Sequence, residues 1–87
     1  MLIPRLVTTK EGTPTTLSSL DREMKAKGFL RTDSSDATEI RWKKGDMELT
    51  LAKGKEWRCA IVTRIKEGLR EALGMQFMEE GSAIVID

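Results

Sequence analysis

Two stretches in which apolar and polar residues alternate, separated by a glycine, constrain the fold of this chain most strongly. They read ATEIRWK (37–43) and DMELTLA (46–52), with Lys44 and Gly45 between them. Such alternation is typical of half-buried strands, and a two-residue linker containing glycine is typical of a β-hairpin. The pattern therefore predicts an antiparallel hairpin that turns at Lys44 and Gly45.

One register of this hairpin satisfies both faces. It places three pairs on an apolar face, Trp42–Met47, Ile40–Leu49 and Thr38–Leu51, and three on a polar face, Lys43–Asp46, Arg41–Glu48 and Glu39–Thr50. Opposite charges then meet on the polar face, which favours a solvated surface of paired ions over a nucleic-acid track. The same register predicts that Trp42 lies in the core.

Two other segments have the apolar spacing of an amphipathic helix. Leu17, Leu20 and Met24 follow Thr13 and Pro14, a possible N-cap and first helical residue, and these signals predict a helix over 14–27 that ends before Gly28. A second set predicts a helix over 57–73, ended by Gly74: Trp57, Ile61, Ile65, Leu69 and Ala72. For residues 56–62, EWRCAIV, a strand is an alternative interpretation that the sequence leaves open.

Short apolar segments at both ends complete the pattern. Residues 2–7 predict a strand with Pro4 at its start or at a sheet edge. SAIVID (82–87) predicts a last strand that is either buried on both faces or paired with the N-terminal strand. The order is strand, helix, hairpin, helix, strand (βαββαβ), which resembles a ferredoxin-like sandwich. We therefore predict an α+β fold with two helices on one face of a mostly antiparallel sheet of three to five strands. This resemblance of element order implies no function.

Length and charge limit the possibilities further. The 87 residues suit a single domain over 1–87, with a small core. The chain has 15 basic and 14 acidic residues, a net charge of +1, so there is no overall positive field to hold a polyanion. Any nucleic-acid binding would need a local basic patch.

The side chains needed for most catalysis are scarce. The chain has no histidine and a single cysteine, Cys59, which removes the commonest general base and every His-dependent nucleophile arrangement. Zinc sites built from thiolates are excluded for the same reason. We expect no catalytic residue, no cofactor and no metal, and therefore no enzyme.

Cysteine content also bears on location. Cys59 alone cannot form an internal disulfide, and no stretch is long and apolar enough for a signal peptide or membrane span. These features favour the cytoplasm.

The apolar residues outside the predicted elements suggest a first function. GMQFMEEG (74–81) carries Met75, Phe77 and Met78 in a glycine-bounded loop, and methionine and phenylalanine are common at protein contacts. Ile84 and Ile86 in the last strand could mediate self-association at a sheet edge. We expect a small protein-interaction module, an adaptor, regulator or inhibitor, that binds another protein or a second copy of itself as a homodimer.

A basic turn suggests the alternative function. Lys53 and Lys55 precede the predicted second helix and Arg58 opens it, where unpaired N–H groups and the helix dipole would favour an anion. Three residues near the end of the first helix would assist if that helix lies nearby: Lys25, Lys27 and Arg31. This interpretation predicts a nucleic-acid or phosphate-binding protein, and it loses its anion site if residues 56–62 form a strand.

Overall fold

The computed structural model describes residues 5–9, 11–53, 58–66, 68–69 and 79–87. Within this part of the chain, one helix precedes a five-stranded sheet in which each strand is antiparallel to its neighbours. The elements are α1 (Leu17–Ala26), β1 (Leu30–Asp33), β2 (Glu39–Lys44), β3 (Met47–Lys53), β4 (Cys59–Ile65) and β5 (Ala83–Val85). The strands lie in the sheet in chain order, so the fold is a meander.

The expected hairpin is formed by β2 and β3, but its register differs from the prediction by two residues. Trp42 pairs with Leu49 and Ile40 with Leu51, while Lys44 pairs with Met47. The turn therefore consists of Gly45 and Asp46, with Gly45 at φ 57°. A hairpin turn of type II′ needs positive φ at its first central position, which glycine supplies. A shift of two residues keeps every side chain on its predicted face.

The predicted helix over 57–73 is wrong at its start, where the strand alternative is correct. Residues 59–65 form β4, which pairs with β3 on one side and β5 on the other. Leu51 pairs with Val62 whereas Thr50 pairs with Arg64, so Thr63 is an extra residue, a β-bulge. The bulge turns both Val62 and Ile65 toward the core, and their spacing of three imitates a helix.

This strand also overturns the predicted fold class. The described residues contain one short helix and a five-stranded antiparallel sheet, and not two helices on one face of a ferredoxin-like βαββαβ sandwich. The chain remains a mixture of helix and strand, with strand dominant.

The first helix exists but is shorter than predicted. It begins at Leu17 because the hydroxyl oxygen of Thr16, and not of Thr13, accepts the N–H of Ser19 at its N-terminus, at 3.2 Å. The preceding residues are extended: Thr15 donates its N–H to the carbonyl of Val7 at 2.8 Å. These contacts with the N-terminal segment hold 14–16 out of the helix.

The predicted pairing of the C-terminal strand with the N-terminal segment is confirmed. Leu6 forms a parallel bridge with Ala83, and the N–H of Val7 donates to the carbonyl of Ala83 at 2.9 Å. Thr16 forms a second parallel bridge, with Val85. The side of β5 away from β4 is therefore covered by residues 5–7 and 15–16.

The apolar core lies between α1 and the sheet. Leu20 and Met24 of α1 are fully buried, and so are Trp42 and its neighbours across the hairpin. The buried apolar cluster contains Val7, Leu20, Met24, Phe29, Ile40, Trp42, Leu49, Leu51, Ala60, Val62, Leu69 and Ile84. The core position predicted for Trp42 is confirmed; Trp57 lies outside the described residues.

The position of Leu51 predicts its contribution to stability. Leu51→Ala removes a fully buried side chain and leaves a cavity, so we expect the free energy of unfolding to fall by about 2–5 kcal/mol. Leu30→Ala is the matched control, because Leu30 is 77% exposed and its loss should cost less than about 0.5 kcal/mol. Urea denaturation of dilute protein measures both, and equal costs would contradict the assigned core.

Candidate functional site

β1 is the strand at the open end of the sheet. It pairs with β2 only, and all four of its residues are exposed. Within the described residues, no other segment pairs with its outer side. This contrasts with β5 at the other end, whose outer side is occupied.

The end of α1 fixes where β1 begins. The N–H of Phe29 donates to the carbonyl of Met24 at 2.9 Å, and that of Gly28 to the carbonyl of Lys25 at 3.0 Å. With Gly28 at φ 88°, these bonds form a Schellman motif, in which glycine takes the left-handed conformation. Phe29 and Met24, both buried, supply the apolar contact that accompanies this motif. The chain leaves the helix in one direction and enters β1 at Leu30.

Arg31 anchors β1 to the sheet and to α1. Its guanidinium lies 5.8 Å from the centre of the Trp42 ring, a cation–π distance. It donates to both carboxylate oxygens of Asp33, at 2.8 and 3.1 Å, and its Nη1 lies 3.5 Å from Asp21 Oδ1 on the helix. The hydrogen bond from Arg31 is the main reason why the pKa of Asp33 lies below its ordinary value.

Asp21 connects the helix to the same cluster. Its Oδ1 accepts the Nε1–H of the buried Trp42 at 3.2 Å, and its Oδ2 lies 3.2 Å from Lys25 Nζ. Partial burial raises the pKa of Asp21, but the hydrogen bonds from Trp42 and Lys25 and the charges of Lys25 and Arg31 outweigh it and lower the pKa below its ordinary value. Asp21 is therefore charged at neutral pH and holds α1, Trp42 and β1 together.

The loop from β1 to β2 is ordered by one carboxylate. Asp36 Oδ1 accepts hydrogen bonds from the hydroxyls of Ser34 and Thr38, both at 2.8 Å, and from the N–H of Thr38 at 3.2 Å. These bonds, with that of Ser34 the largest, lower the pKa of Asp36 to about 2. The Schellman motif thus fixes the beginning of β1, and this loop fixes its end.

The backbone of β1 presents its free groups at two residues. Ser34 donates its N–H to the carbonyl of Glu39 at 2.9 Å, so this pair is hydrogen-bonded. Hydrogen-bonded pairs alternate along antiparallel strands, which makes Thr32–Arg41 and Leu30–Lys43 the next two. The N–H and C=O groups of Arg31 and Asp33 therefore point away from the sheet.

The two faces of this edge differ in chemistry. Arg31 and Asp33 pair with Trp42 and Ile40 and lie on the helix side, as an ion pair. Leu30 and Thr32 lie on the opposite side, where Leu30 is the most exposed large apolar side chain among the described residues. A cleft of about 370 Å³ adjoins the helix side and is lined by Arg31, Ser18 and Asp87 among others. We call residues 30–33 with their free backbone groups the β1 edge.

None of the predicted protein-contact residues belongs to the β1 edge. Met75, Phe77 and Met78 lie outside the described residues. Ile84 is fully buried in β5, and Ile86 is half-buried and donates its N–H to the carbonyl of Arg58 at 2.7 Å. Self-association through Ile84 and Ile86 stays a prediction, although the edge of β5 that it would use is already paired.

The predicted anion site loses its basis. Lys53 ends β3 and Arg58 is exposed just before β4, while Lys55 lies outside the described residues. Because a strand and not the predicted helix begins at Cys59, the described residues around this site provide no helix dipole to favour an anion. The three assisting cations are each engaged: Lys25 with Asp21, Lys27 with Glu23 and Arg31 with Asp33. Nucleic-acid binding by the loop itself stays a prediction.

The paired ions predicted for the polar sheet face are present in part. Arg41 lies 3.1 Å from Glu39 and 3.5 Å from Glu48. The β1 edge is not among the predicted sites, because LRTD (30–33) contains one apolar residue and no alternation that would mark a strand. Strands of four residues are too short for periodicity alone to identify.

Comparison with protein-family models, curated proteins and solved structures gives no match to this chain. In the described residues, no group of His, Cys, Asp and Glu is arranged to hold a metal ion. No helix in that part of the chain is long and apolar enough to cross a membrane.

The β1–β2 loop generates a pH prediction. The folded pKa of Asp36, about 2, lies below its value in the unfolded chain, about 3.9. Its contribution to stability is therefore complete above about pH 3.9 and is lost as the pH falls toward 2. A carboxyl NMR titration should give a midpoint near 2, and Ser34→Ala should move the midpoint upward. An ordinary Asp36 midpoint in the folded wild-type protein would contradict the loop geometry.

The backbone alternation predicts a pattern of amide exchange. In dilute protein the N–H groups of Arg31 and Asp33 should exchange rapidly with solvent, because they have no partner in the sheet. The N–H of Thr32, bonded to β2, should exchange at least tenfold more slowly. NMR hydrogen exchange measures all three, and protection of Arg31 and Asp33 in dilute monomer would mean that the outer side of β1 is already covered.

Proposed function

We propose that this protein is a small, non-enzymatic interaction module that binds an extended segment of another polypeptide along the β1 edge. In this mode the bound segment becomes an additional antiparallel strand, and main-chain hydrogen bonds supply much of the affinity. The observation that carries the proposal is the difference between the two ends of the sheet: β5 is covered, whereas none of the described segments covers the outer side of β1.

The groups available at the β1 edge fit such a partner. Arg31 and Asp33 together offer two N–H donors and two C=O acceptors, enough for four main-chain hydrogen bonds. Leu30 adds an apolar contact on one face, and the Arg31–Asp33 ion pair adds charge selection on the other. Short length and charged side chains also limit indiscriminate pairing, which is how natural edge strands avoid aggregation.

The β1 edge is also preorganised. The Schellman motif at Gly28, the Arg31–Asp21 contact and the Asp36 loop hold β1 in a strand conformation before any partner arrives. Ordering a segment costs conformational entropy on binding, and a prebuilt strand leaves only the partner's share of that cost.

Size and composition support the proposed role, the proposed compartment and a second contact region. The roles of adaptor, regulator and inhibitor are all consistent with a binding domain of this size, and the proposed compartment is the cytoplasm, since Cys59 has no cysteine partner. Met75, Phe77 and Met78 are proposed as a second contact region. Phe77→Ala should weaken binding of any partner that uses it.

Selection from a display library of random extended peptides tests the proposal. Peptides selected on the wild-type protein should lose at least tenfold in affinity for Asp33→Pro, which removes an outward N–H but no hydrogen bond to β2. Asp33→Ala is the matched control, because it removes the same carboxylate and keeps the N–H, and it should bind most of these peptides.

Thermal unfolding must show that both variants fold. Peptides that bind the proline and alanine variants equally well use some other surface, and the β1 edge is then not the binding site. Failure to select any peptide against the folded wild-type protein would also count against the proposal. Binding measured by fluorescence anisotropy distinguishes these results.

A further inference from the structure

We propose that one partner of the β1 edge is a second copy of this chain, paired antiparallel across a twofold axis at Thr32. This inference rests on the proposed function, since it uses the same edge and names what binds there. A twofold dimer is isologous, so the edge must complement itself. The sequence Leu30–Asp33 meets that requirement in one register.

Backbone geometry limits the possible registers. Only Arg31 and Asp33 direct their N–H and C=O groups outward, so the hydrogen-bonded pairs between copies must join these two residues. Three centred twofold registers satisfy this rule. One faces Arg31 with Arg31, one faces Asp33 with Asp33, and one faces Arg31 with Asp33 of the second copy.

Charge selects among the three. Like charges directly opposite each other on adjacent strands are destabilising, which disfavours the first two registers. The third places Arg31 opposite Asp33 twice, by symmetry, on the helix side of the joined sheet. Arg31 already bonds Asp33 of its own strand at 2.8 Å, so the guanidinium can share that carboxylate or exchange it with no charge left unpaired.

The other face of the same register covers apolar surface. Thr32 meets Thr32 of the second copy as a non-hydrogen-bonded pair, whose side chains lie closest together. Leu30 stands diagonal to that threonine and gains contacts there, whereas in the single chain it is 77% exposed. The two five-stranded sheets then form one continuous sheet with a closed β5 at each end.

A charge-exchange experiment tests the pairing. Arg31→Asp makes both edge residues acidic and Asp33→Arg makes both basic, so each variant alone should self-associate at least tenfold more weakly than wild type. Mixed in equal amounts, they should form a dimer with one copy of each, because every facing pair is again opposite in charge. Sedimentation equilibrium over a concentration series measures all four samples.

A cysteine cross-link gives a second readout that does not depend on charge reversal at Arg31. In a Cys59→Ser background, Thr32→Cys places two thiols across the axis with Cα atoms about 4.5 Å apart, within disulfide reach. Lys43→Cys is the matched control: it is exposed on the same face but one strand farther from the axis, beyond that reach. Mild oxidation should link Thr32→Cys rapidly and Lys43→Cys at least tenfold more slowly.

The outcomes separate this inference from the proposed function. A wild-type protein that stays monomeric, with both cysteine variants oxidising equally slowly, overturns the self-pairing. In that case, peptide binding that depends on the Asp33 N–H would still support the β1 edge as a site for other proteins. A dimer that survives Asp33→Pro and does not cross-link at Thr32 lies on another surface and also overturns it. A dimer lost in Asp33→Pro and linked at Thr32 confirms it.

Discussion

The structure depends on how Trp42 is buried. A fully buried indole contributes more apolar surface than any other side chain in this small core, but its N–H must find an acceptor. Asp21 supplies it from α1, which fixes the helix relative to the sheet. The ring face meanwhile receives Arg31 from β1. One residue of the central hairpin therefore determines the position of both the helix and the outermost strand.

The two edge strands of the sheet differ in how their outer sides are protected. At β5, backbone groups are satisfied by segments from the beginning of the described chain, at the expense of ordering residues 5–7 and 15–16. At β1, no segment of the described chain pairs with the outer side, and side chains limit access. An ion pair and a short length protect the edge from general association and leave it selective for a complementary strand.

Sequence patterns indicated part of this arrangement and misled elsewhere for physical reasons. Alternation placed Trp42 and Leu49 on the correct face of the sheet. The face that a strand residue occupies depends only on whether its position along the strand is odd or even. Alternation could not determine the register, which moved by two residues because Gly45 occupies the position of positive φ. In β4, the Thr63 bulge places Val62 and Ile65 on the same face although they are three residues apart, and this spacing is typical of a helix. The open edge could not be inferred until the order of strands was known.

The contact between residues 5–7 and β5 affects the order in which the molecule folds. The strands from β1 to β3 follow one another through short turns, so their pairing is local and should form rapidly. Residues 5–7 and β5 are neighbours in space but come from opposite ends of the described chain, so their contact requires a long loop to close first. Until that closure, the growing sheet has two unprotected edges instead of one. The interval before the ends meet is when this chain is most exposed to misassociation, and the rate of closure sets how long that interval lasts.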